Sequence, residues 1–191
     1  MKKLVIVVAL IAILATGSVF ADHPSGLGIG VVGGMGWGGF GGGAYGLSLK
    51  LPSIPIFWAI NLGAGSNYFR IGLTGDSYFI DQVLVSDIGL HWFLGLGGFF
   101  NFYNYSEEYR SGSYSSKYSY THMNLGARLP IGLSWQPIDL IEIFIDLAPS
   151  LGLGIDGGYK YKNSIGDEVK KDGSMGFFFG IPLEIGLRLW F

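Results

Sequence analysis

Two histidines and two serines are the side chains through which this sequence could perform catalysis. His91 and His122 lie in segments that also carry Ser134, Ser150 and several carboxylates. A serine nucleophile needs a histidine base and a carboxylate that orients it, and such a set hydrolyses esters, including those of lipids. The set must also lie where lipid reaches it, whereas both histidines fall on what we interpret as the inward face. We therefore predict no catalytic residues and no enzyme, with a lipid A-modifying enzyme as the catalytic alternative.

The segment GIGVVG matches the dinucleotide-binding pattern GxGxxG through Gly28, Gly30 and Gly33. That motif needs a following helix and an acidic residue about 20 positions on. Lys50 stands at that distance, and the next acidic residue is Asp76. We interpret the glycines as small residues in a closely packed strand. The chain has no cysteine, which excludes disulfides, thiolate nucleophiles and cysteine-based metal sites. We predict no cofactor and no metal.

In the segments that carry these side chains, apolar residues recur at every second position. The last segment, SMGFFFGIPLEIGLRLWF, is apolar at every odd position from Met175 to Phe191. Alternate side chains of a strand point to opposite faces, so this segment is predicted to be a long β-strand. The same alternation recurs in IEIFIDLAPSLGLGIDGGYKY, THMNLGARLPIGLSW and DIGLHWFLGLGGFFNFY. Pro130, Pro149 and Pro182 lie inside these strands and argue against a fully regular ladder.

Four further strands are predicted in the first half, in LGIGVVGGMGW, AYGLSLKL, IFWAINLGA and YFRIGLTGDSYFI. The total is eight, with ten as the alternative. Short breaks are expected at 52–55, 81–86 and 136–140, and they alternate with longer polar loops at 105–119 and 162–173. Short turns at one end and longer loops at the other are typical of outer-membrane barrels.

Residues 1–21 are predicted to be a cleaved signal peptide, because Lys2 and Lys3 precede an apolar run that ends in small residues. The remaining residues, 22–191, are long enough for one domain. With two of the 12 basic residues in the signal peptide and all 14 acidic residues outside it, the mature net charge is −4. Nucleic-acid binding needs a clustered basic surface, so we predict no such partner.

The composition places this domain in a membrane. The whole chain is 49% hydrophobic and only 14% charged, and it contains 33 glycines, which disfavour helices. In hydrocarbon every backbone polar group must be paired internally, so a chain of strands can span only as a closed barrel. We predict an all-β fold, an antiparallel up-and-down transmembrane β-barrel. Its second face carries too few charges for a surface in water and suits the lumen of a narrow barrel.

Charged residues of both signs fall on this inward face. They are Lys50, Arg70, Asp76, Arg128, Glu142, Asp146, Asp156, Lys160, Glu184 and Arg188. Unpaired charges in a confined space are unfavourable, so we expect ion pairs, in particular between Arg128 or Arg188 and the carboxylates of Glu142, Asp146 and Glu184. Such a network would plug the barrel, whereas a wet lumen would make a narrow pore for ions or small solutes.

The terminal IGLRLWF, with Ile185, Leu187, Leu189 and Phe191, resembles the assembly signal of outer-membrane barrels. The chain resembles the small eight-stranded class of the OmpA membrane domain and OmpX, and some spirochaetal outer-membrane proteins of unknown function. The resemblance implies the outer membrane of a diderm bacterium, with its lipid and the barrel-assembly machinery as partners. We expect a structural or adhesion-type role, with an extracellular partner contacting the loops 105–119 and 162–173.

Overall fold

A computed structural model describes residues 26–38, 43–111, 114–162 and 168–191, so the predicted signal peptide lies outside the described residues. These residues form antiparallel strands and one 3-10 helix, Ser86–Ile88. The strands are β1 (Gly28–Gly38), β2 (Gly43–Lys50), β3 (Phe57–Ala64), β4 (Tyr68–Val85), β5 (Leu90–Ser111), β6 (Tyr114–Arg128), β7 (Ile131–Ile138), β8 (Ile141–Leu147), β9 (Ser150–Lys162), β10 (Glu168–Lys171) and β11 (Ser174–Trp190). No helix in these ranges is long and apolar enough to cross a membrane.

These strands form a closed ring of eight wall strands, as the registers show. β6 and β7 pair with β5 in one unbroken register, so they are two parts of one wall strand. β8 and β9 form another wall strand, and β10 and β11 a third. The ring closes where β1 pairs with β11 from Gly28↔Trp190 to Gly38↔Gly180, and Leu27 and Phe191 exchange two backbone hydrogen bonds beyond it. The predicted eight-stranded antiparallel barrel is confirmed.

Prolines interrupt two of the wall strands without changing their register. Pro130 separates β6 from β7 and Pro149 separates β8 from β9, whereas Pro182 lies inside β11. Each proline carbonyl still accepts a backbone hydrogen bond from the neighbouring wall strand, at 2.8 to 2.9 Å. Pro182 cannot return a bond to the carbonyl of Ala148, and the hydroxyl of Ser150 donates to that oxygen instead, at 2.7 Å. One side-chain donor thus replaces a missing backbone donor.

The period of two gives the wall an apolar outer face. Outward side chains such as Leu147 (40%), Leu151 (60%) and Phe177 (92%) are exposed, whereas their inward neighbours are buried. The alternation shifts at a β-bulge in β4 between Tyr78 and Ile80. Beyond this bulge the odd positions face inward, so Asp81 is buried in the lumen. The predicted turn at 81–86 is therefore wrong, because β4 continues to Val85.

The described parts of the two long polar segments are strands. β5 and β6 remain paired up to Ser111↔Tyr114, and β9 pairs with β10 up to Lys162↔Glu168. The prediction of loops at 105–119 and 162–173 is therefore wrong at 105–111, 114–119 and 168–171, and 112–113 and 163–167 lie outside the described residues. Polarity indicates exposure to water, and a two-stranded ribbon that leaves the membrane is exposed on both faces. The ends of these ribbons lie on the side of the barrel opposite Leu27 and Phe191.

Candidate functional site

The lower lumen, towards Leu27 and Phe191, is built around a buried ion pair between β8 and β11. Arg188 Nη1 lies 3.1 Å from Glu142 Oε1, and the carboxylate also accepts hydrogen bonds from Ser134 at 2.9 Å and Trp190 at 3.0 Å. Arg188 Nε donates to Ser48 Oγ at 2.8 Å. Glu142 is fully buried. Four wall strands are therefore joined by one satisfied set of charged hydrogen bonds.

Aromatic side chains fill the space beside this pair. The ring of Tyr78 stacks between Phe57 and Phe93, with centroids 4.2 and 4.3 Å apart. The guanidinium of Arg188 lies over Phe144 at 3.9 Å and over Phe57 at 4.7 Å. Arginine thus satisfies its charge with Glu142 and packs its flat faces against rings. The result is a solid cross-section of the lumen.

Arg128 holds a second charged cluster above this cross-section. Its guanidinium donates to both carboxylate oxygens of Glu184, at 2.9 and 2.7 Å. Its Nε lies 3.2 Å from Asp76 Oδ1, and Nη2 lies 3.8 Å from Asp146 Oδ1. Arg128 is 1% exposed, so one cation from β6 contacts carboxylates from β4, β8 and β11. The contact with Asp76 was not predicted, because the sequence pattern does not show which carboxylates reach Arg128.

Two of the predicted lumen cations have no carboxylate contact among the described residues. Lys50 donates to the carbonyl of Leu51 at 2.8 Å and lies over the ring of Phe57. Arg70 lines a cavity in the upper lumen together with Asn101. Conversely, Asp81 was predicted to lie in a turn, and the structure brings it within 3.4 Å of His91. The bulge that turns Asp81 inward has no evident sequence signal.

The catalytic candidates are not assembled into a triad. Nδ1 of His122 lies 2.6 Å from Asp156 Oδ1 at the upper mouth, and the Tyr120 hydroxyl donates to the same carboxylate. Ser134 is bonded to the buried carboxylate of Glu142, and Ser150 to a backbone carbonyl. Neither serine is hydrogen-bonded to a histidine among the described residues, although Ser134 lies directly opposite His91 across β5 and β7. The side chain of Lys160 lies outside the described residues, and within those residues no three acidic or histidine side chains are grouped to hold a metal ion.

Two small cavities lie among the described residues of the lumen. A cavity of about 30 Å³ lies beside Arg70, Asn101 and Arg128. A second, of about 10 Å³, lies between Asp76 and Arg188. A water molecule needs roughly 10 to 15 Å³ measured in this way, so the two cavities together hold about three waters.

The residues of the predicted assembly signal lie on the lipid-facing side of β11 and just beyond it. Ile185 is 56% exposed and Phe191 71% exposed, and Leu187 and Leu189 lie between them on the same face. This arrangement places four apolar side chains in a row beside β1 and β8.

A closed ring of eight antiparallel strands with an apolar exterior and a charged, filled lumen defines the class of small outer-membrane β-barrels. The chain belongs to the family described as "Protein of unknown function (DUF3996)", which it matches over residues 27–181.

Two crystal structures are similar to it. A major outer membrane protein from Thermus thermophilus aligns with a TM-score of 0.52 and 12% identity, covering 86% of this chain and 99% of that one. Neisserial surface protein A (NspA) aligns with a TM-score of 0.36 and 14% identity, covering 86% and 96% of the two chains. At 12% identity the first likeness shows a shared fold. No curated protein sequence matches the chain.

Proposed function

We propose that this protein is exported to the outer membrane of a diderm bacterium, where it forms a barrel that conducts no solute and presents a contact surface outside the cell. The observation that carries this proposal is the filled lumen. The Glu142–Arg188 pair and the Phe57–Tyr78–Phe93 stack occupy its lower half. A pore for ions needs a continuous aqueous path, and the described cavities hold only isolated waters.

Export and insertion follow from the features that the sequence supplies at each end. Residues 1–21 would direct secretion and be removed. The side chains of Ile185, Leu187, Leu189 and Phe191 would be recognised by the barrel-assembly machinery during insertion. The outer face then contacts outer-membrane lipid, because an apolar exterior of this extent is unfavourable in water.

The proposed contact surface is the ribbon formed by β5 and β6 above the pair Phe102↔Met123, where the outward apolar positions end. It continues for nine residue pairs, up to Ser111↔Tyr114, which corresponds to about 30 Å along the strand at 3.3 Å per residue.

Two contacts in the described part of this ribbon hold the side chain of Tyr105 in place. The Tyr105 and Tyr118 rings meet edge to face, and the Tyr105 hydroxyl donates to Glu107 at 2.7 Å, an interaction that raises the pKa of this phenol. A tyrosine-rich surface that is already ordered loses little entropy on binding. The ribbon therefore suits an adhesion-type role.

Two measurements test this function, one on the purified, refolded protein and one on cells that display it. In planar bilayers we expect no steady single-channel conductance. Cells that display the protein should bind an array of immobilised host proteins and glycans, and replacing 105–119 by a short turn should remove that binding, with replacement of 162–173 as the matched control. Steady conductance would favour the narrow pore instead, and a mass change in lipid A on expression would favour the lipid-modifying enzyme.

A further inference from the structure

The alternation of side chains on β5 and β6 inverts where these strands leave the apolar belt. Below the pair Phe102↔Met123, apolar side chains such as Leu125 face outward. Above it, small polar residues take the outward positions, and Asn104 Nδ2 donates to Thr121 Oγ1 there at 3.0 Å. Tyrosines take the inward positions. The aromatic girdles of membrane barrels lie on the lipid-facing surface, so an inward set of tyrosines needs another explanation.

These tyrosines belong to two rows at the upper mouth of the barrel. The lower row crosses four wall strands and consists of Arg70, Tyr103, His122 and Asp156. The upper row lies two residues above it and consists of Tyr68, Tyr105 and Tyr120. Directly opposed residues of paired strands share a face, and Arg70 lines the upper-lumen cavity, so both rows face the lumen. Beyond the lower row the register of β6 against β9 shifts, because Gly157 and Gly158 add a β-bulge to β9.

Contacts between the two rows fix the aromatic rings. The rings of Tyr68 and Tyr103 stack, with centroids 6.1 Å apart. The ring of Tyr120 lies nearly parallel to that of His122, at 12°, and its hydroxyl donates to Asp156. The groups remain open to water, since Tyr68 is 42% exposed and the side chain of Asp156 is 37% exposed. The mouth therefore presents ordered and accessible rings above the filled lumen.

Charged groups of opposite sign lie at the two ends of the lower row. The guanidinium of Arg70 offers only hydrogen-bond donors, and the carboxylate of Asp156 offers only acceptors. Asp156 Oδ2 accepts from Ser174 Oγ at 3.3 Å and has room for another donor. The two ends are three strands apart, which corresponds to about 14 Å along the wall. Arg70 would repel a cationic ligand and Asp156 an anionic one, so the mouth suits a neutral ligand.

We propose that this mouth binds a neutral oligosaccharide. The C–H face of a pyranose ring packs against the rings of Tyr68 and Tyr103. Sugar hydroxyls accept hydrogen bonds from Arg70 and donate to Asp156 Oδ2, because a hydroxyl does both. The inference rests on the proposed function, since it names the class of external partner and places the contact on the inner face of the β5–β6 ribbon.

An array of neutral oligosaccharides that includes maltotriose, lactose and chitotriose tests the proposal. It is probed with the full folded protein in a zwitterionic detergent, which carries no sugar. We expect binding, and sorbitol, which has the hydroxyls but no ring, should not compete for it. Tyr103→Ala should weaken binding about ten-fold, the effect of removing one aromatic anchor, whereas Tyr103→Phe keeps the ring and should bind normally. Arg70→Gln should weaken binding by a similar factor, and it decides the matter if Tyr103→Ala fails to fold.

The control variant is Tyr45→Ala, which removes a tyrosine that is 80% exposed on the outer face of β2, and its binding should equal that of the unmodified protein. Absence of binding to every neutral oligosaccharide, or unchanged binding by folded Tyr103→Ala, would overturn the inference. Binding to immobilised proteins alone, lost when 105–119 is replaced, would remove only this inference. Steady conductance, or no binding to any protein or glycan, would remove the proposed function as well.

Discussion

Replacing Arg128 by alanine should destabilise the folded barrel more than any other change at a single lumen cation. Arg128 is 1% exposed and makes two hydrogen bonds with Glu184, with Asp76 and Asp146 also within 4 Å. Its removal leaves the buried carboxylates of Asp76 and Asp146 and the partly buried carboxylate of Glu184 without their shared cation. Breaking a buried ion pair costs about 3 to 5 kcal/mol, and with three carboxylates affected we expect a loss of about 5 kcal/mol.

The assay is urea unfolding of the protein in lipid vesicles, followed by tryptophan fluorescence and by the shift in gel mobility of the folded form. Arg128→Lys keeps the charge but loses the two parallel bonds to Glu184, so it should lose less stability. The double variant Arg128→Met with Glu184→Gln should recover about 2 kcal/mol of the loss, because it removes both charges of one pair.

The reasoning would be refuted if Arg128→Ala unfolded at the same urea concentration as the unmodified protein. A simultaneous rise in ion conductance would mean that water solvates Glu184 and its neighbours. The filled lumen would then not be a barrier, and the narrow pore would become the better functional hypothesis.

The other predictions concern the outer face, the chain terminus and the unpaired cation. Phe191→Asp should reduce outer-membrane insertion, measured as the yield of heat-modifiable protein, and a normal yield would contradict the proposed assembly signal. Leu147→Arg should cost about 2 to 4 kcal/mol in vesicles. Gly154→Ser, whose new Cβ has its nearest neighbour at 3.6 Å, should cost less than about 1 kcal/mol, and equal losses would mean that the faces are reversed. Arg70→Gln should cost less than about 1 kcal/mol in the same urea assay as Arg128, because Arg70 has no carboxylate contact in the described part of the lumen; a loss as large as that of Arg128→Ala would contradict this.

The barrel was predictable because its signal repeats in every wall strand. Alternation depends only on which side chains tolerate lipid, so it identifies the faces without any knowledge of pairing. The prolines at 130 and 149 were likewise informative, since each lacks the amide donor of its ladder position. The wall strands are interrupted at both, whereas β11 continues through Pro182.

The features of the fold that depend on β-bulges could not be predicted from the sequence. One extra residue in a strand reverses which positions beyond it face the lumen. Asp81 was predicted to lie in a turn, and the bulge in β4 instead directs its side chain towards His91. Nothing in the local sequence YFIDQ distinguishes a bulged strand from a regular one. Gly157 and Gly158 are a partial signal, because consecutive glycines suit a bulge, but they do not fix its register.

The contacts between distant strands also exceed what alternation can show. The meeting of Arg128 with Asp76 depends on the stagger of β4 relative to β6 around the ring. Pairing of neighbouring strands adds a second kind of contact: Gly126 lies opposite Gly152 across β6 and β9, and a Cβ on Gly152 would clash with the carbonyl oxygen of Leu125. A small residue in a strand indicates that another group packs closely against it. Which group this is depends on the stagger of the strands, which the sequence does not show.

The shared level of Pro130, Pro149 and Pro182 divides the wall into two parts that should open separately. Proline has no amide proton, so three neighbouring wall strands lack a rung at this height. In a hydrogen-exchange experiment, amides of β6 and β9 above the prolines should exchange through local opening. Amides of β7 and β8 beside Glu142 should exchange only when the whole barrel unfolds. The mouth of the barrel can then fluctuate in deuterated buffer while its base stays protected.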